Sequence, residues 1–106
     1  MKSSKELYAM HAEFCKFMGH AKRIEILFLL GEEELCVEDL ATRMDVPIPN
    51  VSQHLAIMRE KGVVATRRAG NKIYYHLSNQ KTLQACILMR EAMIERMEAC
   101  MTKIFA

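Results

Sequence analysis

A chain of 106 residues that is 51% apolar and 26% charged has the composition of one folded domain, not of a disordered or fibrous segment. Its net charge of +2 is too small to argue for nucleic acid. Neither the longest apolar run, Ile26 to Leu30, nor the amino-terminal Met1-Lys-Ser-Ser-Lys5 forms a membrane span or a signal-peptide core, so a cytoplasmic protein without a membrane partner is expected.

Leu7, Met10, Phe14, Phe17 and Met18 recur at helical spacing and predict a first helix over about 5–18, ended by Gly19. Ile24, Leu27, Phe28 and Leu30 predict a second, ended by Gly31. A third, short helix is predicted from Cys36, because Cys36-Val-Glu-Asp39 places an acidic residue at the third helical position and Leu40 and Met44 on the buried side. After a break at Asp45-Val-Pro47, Ile48 to Lys61 reads as a fourth helix, since Pro49 is tolerated in a first turn and Gly62 closes the end. The pair makes a helix-turn-helix candidate over about 37–61, with Val51, Leu55 and Met58 inward and Asn50, Gln53, Ala56 and Ile57 roughly opposite.

From Gly62 the spacing becomes extended. Val63 to Arg68 and Lys72 to Leu77, rich in β-branched and aromatic residues around Ala69-Gly-Asn71, predict a hairpin over about 63–77. A long helix over about 80–104 closes the chain. Its apolar residues Leu83, Cys86, Ile87, Met89, Met93, Ile94, Met97, Cys100, Met101 and Ile104 cover more than one stripe and imply two neighbours. A single domain of this size buries only about two-thirds of its unfolded surface, which makes a second copy the expected cover. The expected fold is mainly α with a small β-hairpin, one domain over 1–106 in the order α1-α2-α3-α4-β1-β2-α5.

Charge is segregated along the chain. Glu32 to Asp39 hold five acidic groups and no base, whereas Arg59 to Lys72 hold five bases against Glu60 alone. The basic stretch could sit against phosphates, although taken by itself such a run is more often an ordinary solvated surface.

Four motifs carry a resemblance: His20-Ala-Lys-Arg-Ile-Glu-Ile-Leu27, Glu34-Leu-Cys-Val-Glu-Asp-Leu40, Val51-Ser-Gln-His-Leu55 and Arg67-Arg-Ala-Gly-Asn-Lys-Ile-Tyr-Tyr75. In this order and spacing they resemble the ArsR/SmtB family of bacterial regulators over nearly the whole chain. The resemblance implies a winged helix-turn-helix that binds duplex DNA, and a homodimer built on the first and last helices that represses an operon until an effector releases it. Ser52, Gln53 and His54, helped by Asn50, are then candidates for base edges or nearby phosphates, being short or planar hydrogen-bonding groups suited to the major groove. The alternative for His54 is a half-buried ring beside Leu55. In the wing, Arg67, Arg68 and Lys72 are expected to neutralise phosphates or reach a minor groove, and Tyr74 to offer its hydroxyl to a phosphate, with Tyr75 inward. Pro47 departs from the family pattern, where a Ser or Thr caps the recognition helix; the missing acceptor costs about 1 kcal/mol.

The effector is less legible. Family members that sense metals or arsenite often carry two cysteines in the third helix, as Glu-Leu-Cys-Val-Cys, but here Glu38 stands at the second cysteine position. Cys36 would need thiol partners from Cys15 in the first helix or Cys100 in the last, across a dimer interface, to hold a soft metal or metalloid ion. An oxidant or sulfur species acting on Cys36 is the other thiol-directed reading, favoured by a helix amino terminus and opposed by the acidic neighbours. Cys86 and Cys100, fourteen residues apart among methionines on an apolar face, suit packing better than a ligand role. The paired ligands of the family's zinc site on the last helix are missing, and no nucleophile motif or phosphate-cradling glycine loop suggests an enzyme. A protein-interaction module and a thiol metal buffer are the competing classes.

Overall fold

The computed structural model describes residues 3–105, the last two by their helical backbone alone. The elements follow the expected order: α1 Ser4–Met18, α2 Ala21–Glu32, α3 Val37–Met44, α4 Ile48–Glu60, β1 Val64–Ala69, β2 Lys72–Leu77 and α5 Gln80–Phe105. Met1, Lys2 and the side chain of Ile104, named above, lie outside the described residues.

Local chemistry explains most boundaries. Ser3 caps α1 by accepting from the Glu6 amide at 3.2 Å. Gly19 ends α1, and His20 caps α2 through Nδ1, which accepts from the Lys22 amide at 3.3 Å. Helix α2 does not stop at Gly31 but runs on to Glu32. Gly31 serves packing instead, because a Cβ there would overlap Leu83 Cδ2 of α5. Cys36 occupies the N-cap of α3 without accepting a bond from its amides. Asp45 ends α3 in the left-handed region at φ 55°, its amide reaching the carbonyls of Ala41 and Thr42. Pro47 stands at the N-cap of α4 and offers no side-chain acceptor, and its carbonyl takes the Asn50 amide at 3.0 Å.

The strands pair antiparallel from Val64↔Leu77 to Ala69↔Lys72. Gly70 supplies the positive φ of the turn at 64°. Leu35, in the link between α2 and α3, adds an isolated bridge to Tyr75 through two backbone bonds of 3.2 and 2.8 Å. The hairpin base is thereby fastened to the helical body.

The core lies between α2, α3, α4 and this base. Ile26, Leu27, Leu40, Val51, Leu55 and Met58 are all 0% exposed, and no buried polar or charged side chain occurs among the described residues. Ile57, expected outward, is half-buried and packs on the core, because α4 has α2 and α3 on one side and β1 on another. The inner side of α5 meets α2 through Leu83 and Cys86. Its other apolar residues stay open: Leu88, Met89, Met93, Met97 and Met101, with Leu7, Tyr8 and Met10 of α1, are 52% to 72% exposed.

Leu55→Ala empties a fully buried site in α4 and is expected to cost about 2–5 kcal/mol, read from urea unfolding at fixed protein concentration. An unchanged midpoint would show that α4 is not held by this core.

Candidate nucleic-acid interface

Because Val51, Leu55 and Met58 are sealed inward, the opposite face of α4 is fixed as Asn50, Ser52, Gln53 and Ala56, all exposed. Three of these four carry hydrogen-bonding groups, and they lie in the first half of the helix. None is drawn into an internal side-chain bond among the described residues. Asn50, Ser52 and Gln53 are therefore presented together.

His54 is placed differently from its three neighbours. Its ring is half-buried, its Nδ1 accepts from Arg23 Nε at 3.3 Å, and it meets His20 edge-on with centroids 4.5 Å apart. Arg23 also donates Nη1 to the Phe17 carbonyl at 2.9 Å and lies over the Phe17 ring at 4.9 Å. His54 thus ties α4 to the junction of α1 and α2, the half-buried placement that stood as the alternative to a base contact. The helical angle near Leu55, not the polarity of the ring, decided its direction. Burial lowers its pKa below the ordinary imidazole value, and the neighbouring His20, Arg23 and Lys22 charges lower it further.

In the hairpin, directly paired residues point to one side. The register therefore puts Arg67, Lys72, Tyr74 and His76 on one face, and Arg68 with Ile73 and Tyr75 on the other, where Val64 and Leu77 reach the core. Arg68 Nε donates to the Gly70 carbonyl at 3.2 Å, so this side chain folds along the tip. Arg67 Nε donates to Glu34 Oε2 at 2.6 Å, and its guanidinium lies 5.0 Å from the centre of the half-buried Tyr74 ring. The carboxyl of Glu38 is held below the usual range by its own backbone amide and by the Cys36 thiol, with a further contribution from the charge of Lys72. The acidic and basic stretches, separate in sequence, thus face each other. Glu34, Arg23 and His76 were given no role from the sequence, although the segregated charge and the motif that begins at Glu34 both pointed to Glu34, and Arg23 lies within the motif from His20 to Leu27.

The thiols are less well placed for ion chemistry. Cys36 is 3% exposed and donates to Asp39 Oδ2 at 3.2 Å. Burial pushes its pKa up, so the expected advantage of a helix amino terminus for the thiolate is overcome by desolvation. Cys15 and Cys100 are exposed on α1 and α5. Cys86 is half-buried, its pKa raised by burial and then by nearby Cys15. Among the described residues of one chain, no three His, Cys, Asp or Glu groups gather to hold a metal ion.

Since His54 is favoured neutral in the fold, its contribution to stability is complete above its unfolded pKa of about 6.5 and is lost as pH falls through the lowered folded value. Urea unfolding is expected to show stability declining as pH falls below the unfolded imidazole value of about 6.5, with a shallower decline in His54→Gln. Parallel declines in the two proteins would remove His54 as the cause.

The family described as bacterial regulatory protein, arsR family, matches residues 20–66, from the cap of α2 into β1. The HTH-type transcriptional regulator KmtR of Mycobacterium tuberculosis is 39% identical over 75 residues, which span 71% of this chain and 58% of that protein. The chain thus spans less than two-thirds of this relative's length. The arsenical resistance operon repressor of Escherichia coli is 35% identical over 86 residues, 80% of this chain and 74% of that one. A homodimeric winged helix-turn-helix DNA-binding domain from Mycobacterium bovis superposes with a TM-score of 0.78 at 25% identity, covering 92% of this chain and 93% of that chain. With the element order, the exposed α4 face and the basic hairpin all in place, the chain belongs to the arsR family of bacterial regulatory proteins.

Proposed function

We propose that the protein is a sequence-specific transcriptional repressor that binds duplex DNA as a cytoplasmic homodimer, each copy a single winged helix domain. The observation that carries this reading is the pairing of Asn50, Ser52 and Gln53, exposed on a helix whose other face is fully buried, with a hairpin bearing Arg67, Arg68 and Lys72. Asn and Gln match base-edge donor and acceptor patterns in the major groove, and the hairpin cations match the flanking phosphates. A surface for protein partners would be rich in aromatics; the exposed α4 residues include none.

The dimer seam runs along α1 and α5, where the large exposed apolar residues of the helices concentrate. Two recognition helices related by a two-fold axis read an imperfect inverted repeat, with half-sites one helical turn, about 34 Å, or a multiple apart. The name of the Escherichia coli relative is that of a repressor, and the Mycobacterium bovis domain is described as homodimeric; both support the reading.

A thiol-directed effector releases the protein from its operator. Cys36, at the start of the helix preceding α4, is the sensing thiol, and Cys15 and Cys100 are the further thiols that a second copy would bring to a shared site for a soft metal or metalloid ion. An oxidant or sulfur species at Cys36 is the other form of the same proposal.

Fluorescence anisotropy on the DNA upstream of the protein's own gene tests this directly. The reduced protein is expected to bind that duplex far more tightly than an unrelated one. Arg68→Ala weakens binding to all sequences and flattens the salt slope by about one, whereas Gln53→Ala costs about 1–3 kcal/mol of discrimination between bases. Arsenite, cadmium, zinc, copper(I), peroxide and persulfide are then titrated in turn; one of them releases the DNA, and Cys36→Ser abolishes that release. Equal affinity for every duplex would contradict the repressor reading, and indifference to every thiophile would contradict the thiol effector.

A further inference from the structure

We propose that Glu34 restrains the wing by competing with DNA phosphate for Arg67, so that binding proceeds by exchange of one anion for another on the same guanidinium. This rests on the DNA-binding reading and deepens it.

The position of Glu34 is set by backbone, not by a chance meeting of surface side chains. Its neighbour Leu35 is 3% exposed and exchanges both backbone bonds with Tyr75 of β2. The Glu34 carboxylate is consequently held against the outer hairpin face. Oε2 takes the Arg67 Nε bond at 2.6 Å, while Oε1 lies 3.5 Å from His76 Nδ1. That His76 nitrogen is within ion-pair distance but lacks hydrogen-bond geometry, and it is a buried side-chain atom left without a partner.

Chemistry makes the competition direct. A guanidinium grips phosphate best as a two-pronged fork of parallel N–H bonds, and one such fork uses Nε with a terminal nitrogen. Glu34 already occupies Nε. Its charge also sits beside Arg67 where a phosphate would come, and like charges brought together in this way oppose each other. The Arg67 side chain is 52% exposed, so the guanidinium remains within reach of an incoming strand. An exposed ion pair is worth little, on the order of a few-fold in an equilibrium, which makes the contact weak enough to be exchanged. His76 Nδ1 is the group beside Glu34 placed to accept the released carboxylate by donating an N–H.

The test is a double-mutant cycle read by anisotropy on the same upstream duplex, using wild type, Glu34→Gln, Arg67→Gln and the double variant. Glu34→Gln is expected to bind about two- to fivefold more tightly, and Arg67→Gln more weakly than wild type. In the Arg67→Gln background the gain from Glu34→Gln disappears. Thermal unfolding of each variant checks that the fold is retained, since Glu34 lies at the surface. Weaker or unchanged binding by Glu34→Gln overturns the inference, because the contact would then build the wing for DNA or be irrelevant to it. An equal gain in both backgrounds also overturns it, since the carboxylate would then repel DNA without acting through Arg67. Failure of the wild type to prefer its own upstream DNA is a different result, which removes the repressor reading itself.

Discussion

The inner face of α4 is the constraint on which the rest depends. Val51, Leu55 and Met58 meet Ile26, Leu27 and Leu40 with no exposed area left at any of the six. Close packing of this kind fixes both the position of a helix and its rotation about its own axis. A turn of that axis by one residue would carry a polar side chain into a core that holds none among the described residues. The outward face is therefore decided by the inward one. Asn50, Ser52 and Gln53 are presented as a group because the buried face leaves them only the outward side.

Two polar arrangements then trim this geometry from either end. At one, Arg23 joins the Phe17 carbonyl, the Phe17 ring and His54, so a single guanidinium connects the end of α1, the start of α2 and the middle of α4. Such a contact needs His54 as an acceptor and hence as neutral imidazole. At the other end, the Leu35–Tyr75 bridge fastens the hairpin to the link between α2 and α3. The wing is joined to the helical body at its base, while its tip around Gly70 is open. Recognition helix and wing are in this way referred to one frame.

Helices and hairpin were legible in the sequence because their signals are local. The spacing of Leu7, Met10 and Phe14, the breaks at Gly19 and Gly62, and the shift to alternating residues after Gly62 each act over a few positions, and each element stands where they point. What escaped was set by distant partners. Gly31 looks like a helix terminus until Leu83, fifty-two residues on, is seen to fill the place of its missing Cβ. The pairing of Arg67 with Glu34 spans 33 residues and that of Arg23 with His54 spans 31, separations at which no periodicity carries information. Cys36 shows two physical effects in opposition. The helix amino terminus favours its thiolate by a local rule, but burial, a property of the whole fold, raises its pKa. The family motifs bridged part of this gap, since they named the wing cations without disclosing that Arg67 and Lys72 face acidic groups of the same chain.

In the proposed function one packed core presents Asn50, Ser52 and Gln53 to DNA, and the open faces of α1 and α5 join two such cores. Native mass spectrometry of the protein mixed with the duplex from its own upstream region weighs both halves of that claim at once. The expected species is one duplex carrying two chains, with the free protein also present as a pair. A single chain on the duplex, or a monomer that leaves the duplex bare at micromolar concentration, would contradict it.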